Sequence, residues 1–282
     1  MKVGVIFPQT ECGTDVAAIA EFVRAVETEG FDHLFVADHV LGADPRFHAH
    51  PSLANYSHES VVHEALTSMA YFAAITSRIV LATGILILPQ RNPVILAKEL
   101  ATLDVLSGGR VELGVGVGWL REEFDALGVP WERRGARTDE YIEALRTLWR
   151  DDQCTFEGEF CRFENAKSFP KPVQGLIPIH VGGHTEAAAR RAGRLGDGFF
   201  PGRSTDDELR SLLDTMRASA KDAGRDPDAI EVTAGGALDA DGVKRFADLG
   251  VDRIALPPLG FDLDTLREQL GRFSEQVIQK VG

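Results

Sequence analysis

Four short stretches of the chain carry residue types from which a reaction can be assembled. The first, Val36-Ala37-Asp38-His39, sets a carboxylate beside an imidazole. Such a pair can orient a ring, donate to a developing anion or relay a proton. In the plainer reading, Asp38 caps a turn and His39 packs beneath a loop. The second, Ala82-Thr83-Gly84-Ile85-Leu86, puts a glycine inside an apolar run. Glycine is costly there unless it forms a bulge or lets a ligand approach the backbone. The third, Gly114-Val115-Gly116-Val117-Gly118-Trp119, is spaced G-x-G-x-G and lacks the third glycine of a dinucleotide fingerprint. Its small residues either open room for a flat ligand, with Trp119 as a wall, or let a helix pack closely. The fourth, Val181-Gly182-Gly183-His184-Thr185-Glu186, runs from an apolar strand through two glycines into a helix. The unpaired amides and positive dipole end of such a terminus suit a phosphate, with Thr185 donating its hydroxyl or capping the helix. An ordinary glycine loop with a threonine cap has the same sequence.

Other reagents are missing. Histidines 48, 50, 58 and 63 crowd one segment, but His63-Glu64-Ala65-Leu66-Thr67 has threonine where a zincin has its second histidine. His48 and His50 alone do not close a metal site, and no metal is expected. There is no G-x-S-x-G and no Walker motif, so a borrowed cofactor becomes the expected reagent. Cys12, Cys154 and Cys161 form neither a CxxC pair nor a zinc spacing. A third, unpaired thiol and an amino terminus that reads directly as a strand point to the cytoplasm. The formal charge of -13 argues against nucleic acid and against an anionic membrane surface. The longest apolar runs fall short of the ~20 residues that cross a bilayer.

The elements that must position these residues recur along the 282-residue chain. An amphipathic helix, a small or glycine residue, a charged residue and a short apolar strand repeat around Gly30-Phe31-Asp32, Ser77-Arg78, Gly109-Arg110, Gly196-Asp197 and Gly250-Val251-Asp252. Glycine after a helix supplies the left-handed turn back. Continuous apolar strands alternating with helices signal a buried parallel sheet. Strands are expected at 3–7, 33–36, 79–82, 111–115, 177–181, 198–200, 230–234 and 253–256. Helices are expected at 15–29, 63–76, 93–106, 139–149, 185–195, 205–223, 241–249 and 263–281. Eight such units predict a single (β/α)8 TIM barrel over 1–282, with an open doubly wound sheet as the alternative. Two insertions interrupt it, 42–62 after strand two and 152–176 after helix four. The latter contains a hairpin turning at Glu157-Gly158. Loops this long are usually functional.

Taken together, these segments resemble the bacterial luciferase-like monooxygenase superfamily, and its branch dependent on the deazaflavin coenzyme F420 in particular. The matching stretches are FDHLFVADHV, the run from TSRIVLATGILILPQ through LGVGVGWLREEFDALGVPWERRGARTDEY, and IPIHVGGHTEAAARRAGRLGDGFFP. The resemblance covers much of residues 1–201; residues 202–282 add only barrel rhythm. It implies a ring lying across the strand ends near Phe7, Asp38 and His39, and a non-prolyl cis peptide at Gly84-Ile85 in a bulge behind it. Gly116, Val117, Gly118 and Trp119 would flank the ring, and Val181, Gly182, Gly183, His184 and Thr185 would take the ribityl phosphate. There is one departure. Trp119 stands where the related sugar-phosphate dehydrogenases carry an acid, and no strand-end lysine suits a substrate phosphate. A bulkier, more apolar substrate is expected.

Three functions follow as expectations. The first is an F420-dependent oxidoreductase that moves a hydride between the cofactor's C5 and a small apolar substrate. His39 would exchange the accompanying proton and Asp38 would help orient it. The second is a monooxygenase using reduced FMN and dioxygen. The third is a non-catalytic flavin-binding barrel. Apolar helix faces make a homodimer the expected assembly.

Overall fold

The computed structural model describes residues 1–54, 56–202, 205–258, 260 and 262–281, with backbone alone at 54 and 281. Position 55 of the first insertion and position 282 at the chain's end lie outside the described residues. Strands β1 (Lys2–Ile6), β2 (His33–Val36), β3 (Val80–Thr83) with its short continuation β4 (Leu86–Ile87), and β5 (Val111–Gly116) make the first half of a parallel sheet. A separate antiparallel hairpin, β6 (Cys154–Glu157) and β7 (Arg162–Ala166), follows. Strands β8 (Ile179–Gly182), β9 (Gly198–Phe200), β10 (Glu231–Gly235) and β11 (Arg253–Leu256) complete the sheet. Because β1 pairs with β11 as well as β2, and β3 pairs with β5, the sheet closes on itself as an eight-stranded parallel barrel.

Helices α1 (Gln9–Cys12), α2 (Val16–Thr28), α3 (Ala65–Ile75), α4 (Pro93–Ser107), α5 (Arg121–Leu127) and α6 (Arg134–Arg150) intervene in the first half. Helices α7 (Glu186–Leu195), α8 (Asp206–Asp222), α9 (Ala240–Asp248) and α10 (Leu263–Phe273) intervene in the second. Most of their starts are set by side chains that satisfy the free first-turn amides. Asp15, Asn92, Thr185, Asp239 and Asp262 each accept from such an amide, and Thr205 with Glu208 forms a reciprocal capping box. Gly108 ends α4 in the left-handed conformation, as the recurring joint predicts, whereas Gly196 after α7 is extended at φ -83°.

Strand parity decides what each side chain can do. Successive residues of a strand point to opposite faces, so in a barrel they alternate between the interior and the helix layer. Leu34, Leu81, Leu113, Val115, Ile179, Val181, Phe199 and Ile254 belong to the large core shared with the helices. Phe35, Ala82 and Ala255, flanked by Ile6 and Phe200, form a small separate cluster inside the barrel. Below it, at the strands' amino ends, lie Glu112, His33, His180 and Arg253. Arg253 Nη1 is 2.6 Å from Glu112 Oε2, and Nε donates to Thr233 Oγ1 at 2.9 Å. Glu112, His180 and Glu231 bring oxygen and nitrogen atoms within 4.8 Å of one another, and the Arg253 guanidinium supplies the positive charge among them.

Four features differ from the sequence expectation. Helix α5 and strand β4 are additional, and α6 starts at Arg134 rather than near 139. The hairpin's turn falls at residues 158–161 instead of Glu157-Gly158, because the Glu140 carboxylate gathers the amides of Glu159, Phe160 and Cys161 at 2.7–2.8 Å. No described helix is long and apolar enough to cross a membrane.

Candidate active site

The carboxyl ends of β2, β3, β5 and β8 surround a cavity of about 780 Å³. A larger depression of about 930 Å³ lies outside the barrel between α2 and α10, away from every strand end. Barrel chemistry belongs at the carboxyl face, so the smaller cavity is the candidate site. Its base is the bulge after β3, where the Gly84–Ile85 peptide is cis and Gly84, Ile85 and Ile87 line the space.

The glycines around this bulge act by close approach. A Cβ on Gly116 would sit 2.2 Å from Ile85 Cδ1, and one on Gly182 would sit 2.6 Å from the same atom. Both strands are therefore cut back to receive the Ile85 side chain, which becomes the apolar floor. Gly118, at φ +78°, makes room for Ile87 and Phe124. Gly116 thus supports the floor from below, while Val117, Gly118 and Trp119 line the cavity itself.

His39 stands on the cavity wall, stacked on Tyr56 with ring centroids 3.9 Å apart and edge-on to Trp119 at 5.5 Å. Its Nδ1 donates to Glu123 Oε1 at 3.0 Å. The Glu123 side chain has no exposed surface. It also accepts from the Val40 amide at 2.8 Å and from Gln90 Nε2 at 3.2 Å. Burial alone would raise this carboxyl, but the His39, Val40 and Gln90 donors outweigh it and hold the pKa below the ordinary carboxylate value. Nδ1 is thereby fixed as a donor to an ionised carboxylate, so Nε2 is the other ring nitrogen. Glu123 was not singled out from the sequence.

Asp38 also lines the cavity, but it does not orient His39, contrary to expectation. Its Oδ2 accepts from the Ile87 amide at 2.9 Å and its Oδ1 from Arg91 Nη2 at 2.6 Å. Asp38 therefore pins the bulge rather than the imidazole. Two further expectations are corrected by parity. Phe7 is 2% exposed and packs its ring 4.8 Å from that of Phe72, in the helix-facing core. The Val181 side chain likewise lies in that core. Neither lines the cavity.

At the other end the cavity is closed by Gly182, Gly183, His184 and Thr185, and by the first turns of α6 and α7. Thr185 caps its own helix, accepting from the Ala188 amide at 3.2 Å. Two arginines that the sequence reading did not include face this end, Arg134 and Arg191.

A family model described as luciferase-like monooxygenase matches residues 1–240. The chain belongs to this family. It is therefore an oxidoreductase of the luciferase-like type. An uncharacterised protein of Mycobacterium tuberculosis is 33% identical over 288 aligned positions, covering 98% of this chain and 99% of the relative. An FMNH(2)-dependent dimethylsulfone monooxygenase of Pseudomonas fluorescens is 38% identical over 170 positions, covering 59% of this chain and 45% of that protein. Among solved structures, an F420-dependent secondary alcohol dehydrogenase in complex with an F420-acetone adduct superposes with a TM-score of 0.81 at 20% identity, covering 98% of both chains. That likeness shows the shared barrel.

Proposed function

We propose that the protein is a deazaflavin (F420)-dependent oxidoreductase acting on a small apolar substrate that bears a hydroxyl or carbonyl group. The residues present fit a flat heteroaromatic cofactor with an anionic tail. The cavity volume of about 780 Å³ lies within the ~300–1,000 Å³ usual for cofactor sites. Its floor is Ile85, its side walls carry Trp119 and Trp131, and its far end carries main-chain glycines and cations. When bound, the deazaflavin would supply the hydride donor or acceptor.

The observation that carries this reading is the His39–Glu123 pair. Removing a hydride from a carbinol carbon requires the hydroxyl proton to leave as well, and the reverse reduction requires a proton at the carbonyl oxygen. His39 Nε2 would exchange that proton, and the buried Glu123 carboxylate would balance the charge of the imidazolium formed. Ile85 would back the cofactor ring, and Trp119 would hold the apolar body of the substrate and exclude water. Asp38 would act through the bulge by fixing the Ile87 amide. Replacing His39 with Ala is expected to lower turnover by about 10²–10⁴ while leaving cofactor affinity nearly unchanged. Equal turnover would remove His39 from the reaction.

A second reading, an FMN-dependent monooxygenase, draws support from the similarity to the Pseudomonas enzyme. Parallel fluorescence titrations with F420 and with FMN separate the two. Tight binding of F420 alone supports hydride transfer, whereas preference for FMN with substrate-dependent oxygen uptake would overturn it.

A further inference from the structure

We propose that Arg134 binds the phosphate of the cofactor and sets the preference for phosphate-bearing over phosphate-free forms. This assignment rests on the flavin or deazaflavin reading of the cavity. It begins with an imbalance between the two arginines at the cavity's far end.

Arg191 already has its charge partnered. Its Nε is paired with Asp139, its Nη2 donates to the Gly135 carbonyl at 3.1 Å, and the residue is 8% exposed. Arg134 is half-buried on the same wall, and among the described residues it has no carboxylate partner. Its guanidinium lies 3.6 Å over the Trp131 ring, and its Nε reaches the Gly118 carbonyl at a long 3.4 Å. Neither contact neutralises the charge. Carboxylates are not scarce, since the chain has 43 acidic against 30 basic residues, and the adjacent Arg133 is paired with Glu159. Burial pulls the Arg134 pKa down, the direction of a cation short of compensation.

Position sharpens the argument. Arg134 occupies the first turn of α6, which has no acidic residue, and a cation there opposes the helix dipole. The Arg191-to-Gly135 bond holds this turn against α7, so Arg134 shares the cavity end with Gly183 and Thr185. Over the indole face, and with only Nε engaged among the described residues, Arg134 has its two Nη groups available to fork onto phosphate oxygens.

The test compares binding of FMN, riboflavin, F420 and the phosphate-free deazaflavin head to the wild type, Arg134→Gln and Arg134→Lys, by fluorescence. The wild type should favour each phosphate-bearing form by tenfold or more. Arg134→Gln should erase about 10- to 100-fold of that preference, with phosphate-free forms bound as before and the melting temperature unchanged. Arg134→Lys should restore part of it. An unchanged preference, or an equal loss for all four ligands, would overturn the assignment while leaving the cofactor reading in place. If the wild type bound none of the four, the cofactor reading would fail first and this assignment with it.

Discussion

A glutamate side chain with no exposed surface must be either protonated or fully compensated, and Glu123 is compensated. Its donors come from the strand-two end and from the turn after β4, so one carboxylate joins the His39 imidazole to two separate backbone segments. Two consequences separate its roles. In Glu123→Gln the shape is kept and the charge lost, so turnover should fall by about 10- to 100-fold while substrate KM changes less than about twofold. Steady-state kinetics across pH would check this, and an unchanged turnover number would reduce Glu123 to scaffolding. In Glu123→Ala the His39, Val40 and Gln90 donors lose their acceptor, which should cost about 3–5 kcal/mol in denaturant unfolding. The residue was legible only in part. Asp38 is adjacent to His39 in sequence, and adjacency suggested a partnership that the side-chain directions do not permit. Glu123 lies 84 positions away, and only the return of the chain over the strand ends brings it to the imidazole. For Phe7 and Val181 the missing signal was present: alternation along each strand already directs them to the helix layer.

Among the elements, the barrel strands were the most legible, because short apolar runs joined through glycine turns have few other uses. The expected and observed strand at 33–36 coincide, and β9 and β11 do as well. Helix α5 was missed although Glu122 and Glu123 stand in its first turn and Gly128 ends it in the left-handed conformation, both recognisable boundary signals. Its seven residues are too short for a helical period to emerge. Helix α6 begins early, directly after Arg133, a left-handed residue with no capping side chain, and such a start leaves no mark in composition. The hairpin outside the barrel depends on that same helix. Glu140 holds three consecutive amides of the turn, while Phe160 lies beneath the guanidinium groups of Arg133 and Arg137 at about 5 Å. Replacing Glu140 with Ala should therefore free the turn without unfolding the barrel. Amide hydrogen exchange at Phe160 and Cys161 should quicken by about 10- to 100-fold, matching the ~1.5–3 kcal/mol of charge-assisted bonds, with β5 and β8 unaffected. Exchange that stayed slow at the turn would mean the arginine contacts suffice to hold it.

At the scale of the whole molecule, the barrel is built with opposite chemistries at its two ends: an apolar floor under an open cavity above, and a charged plug below. The plug converts pH into stability. Burial alone would raise the Glu112 carboxyl, but His180, His33 and Arg253 hold it far below the ordinary 4.5. Burial also pulls His33 below its ordinary 6.5, against the opposing pull of Glu112. In both cases the folded pKa is the lower one, so on acidification the unfolded chain takes up the proton first. Stability is then full above about pH 6.5, declines as His33 protonates preferentially in the unfolded chain, and declines again below about pH 4.5 through Glu112. Denaturant midpoints measured from pH 8 down to pH 4 should fall in that order. In Glu112→Gln the lower step should shrink, and stability near neutral pH should drop by about 3–5 kcal/mol because Arg253, 1% exposed, loses its nearest carboxylate. A joint replacement of Glu112, His180 and Arg253 by apolar residues of matching volume should restore much of that loss, since a filled apolar plug needs no internal charge balance. A flat pH profile in the wild type, or a Glu112→Gln variant as stable as its parent, would show that the plug's charges offset one another without contributing to the fold. In that event the closed hydrogen-bonded ring of strands and the surrounding apolar layer would hold the barrel by themselves.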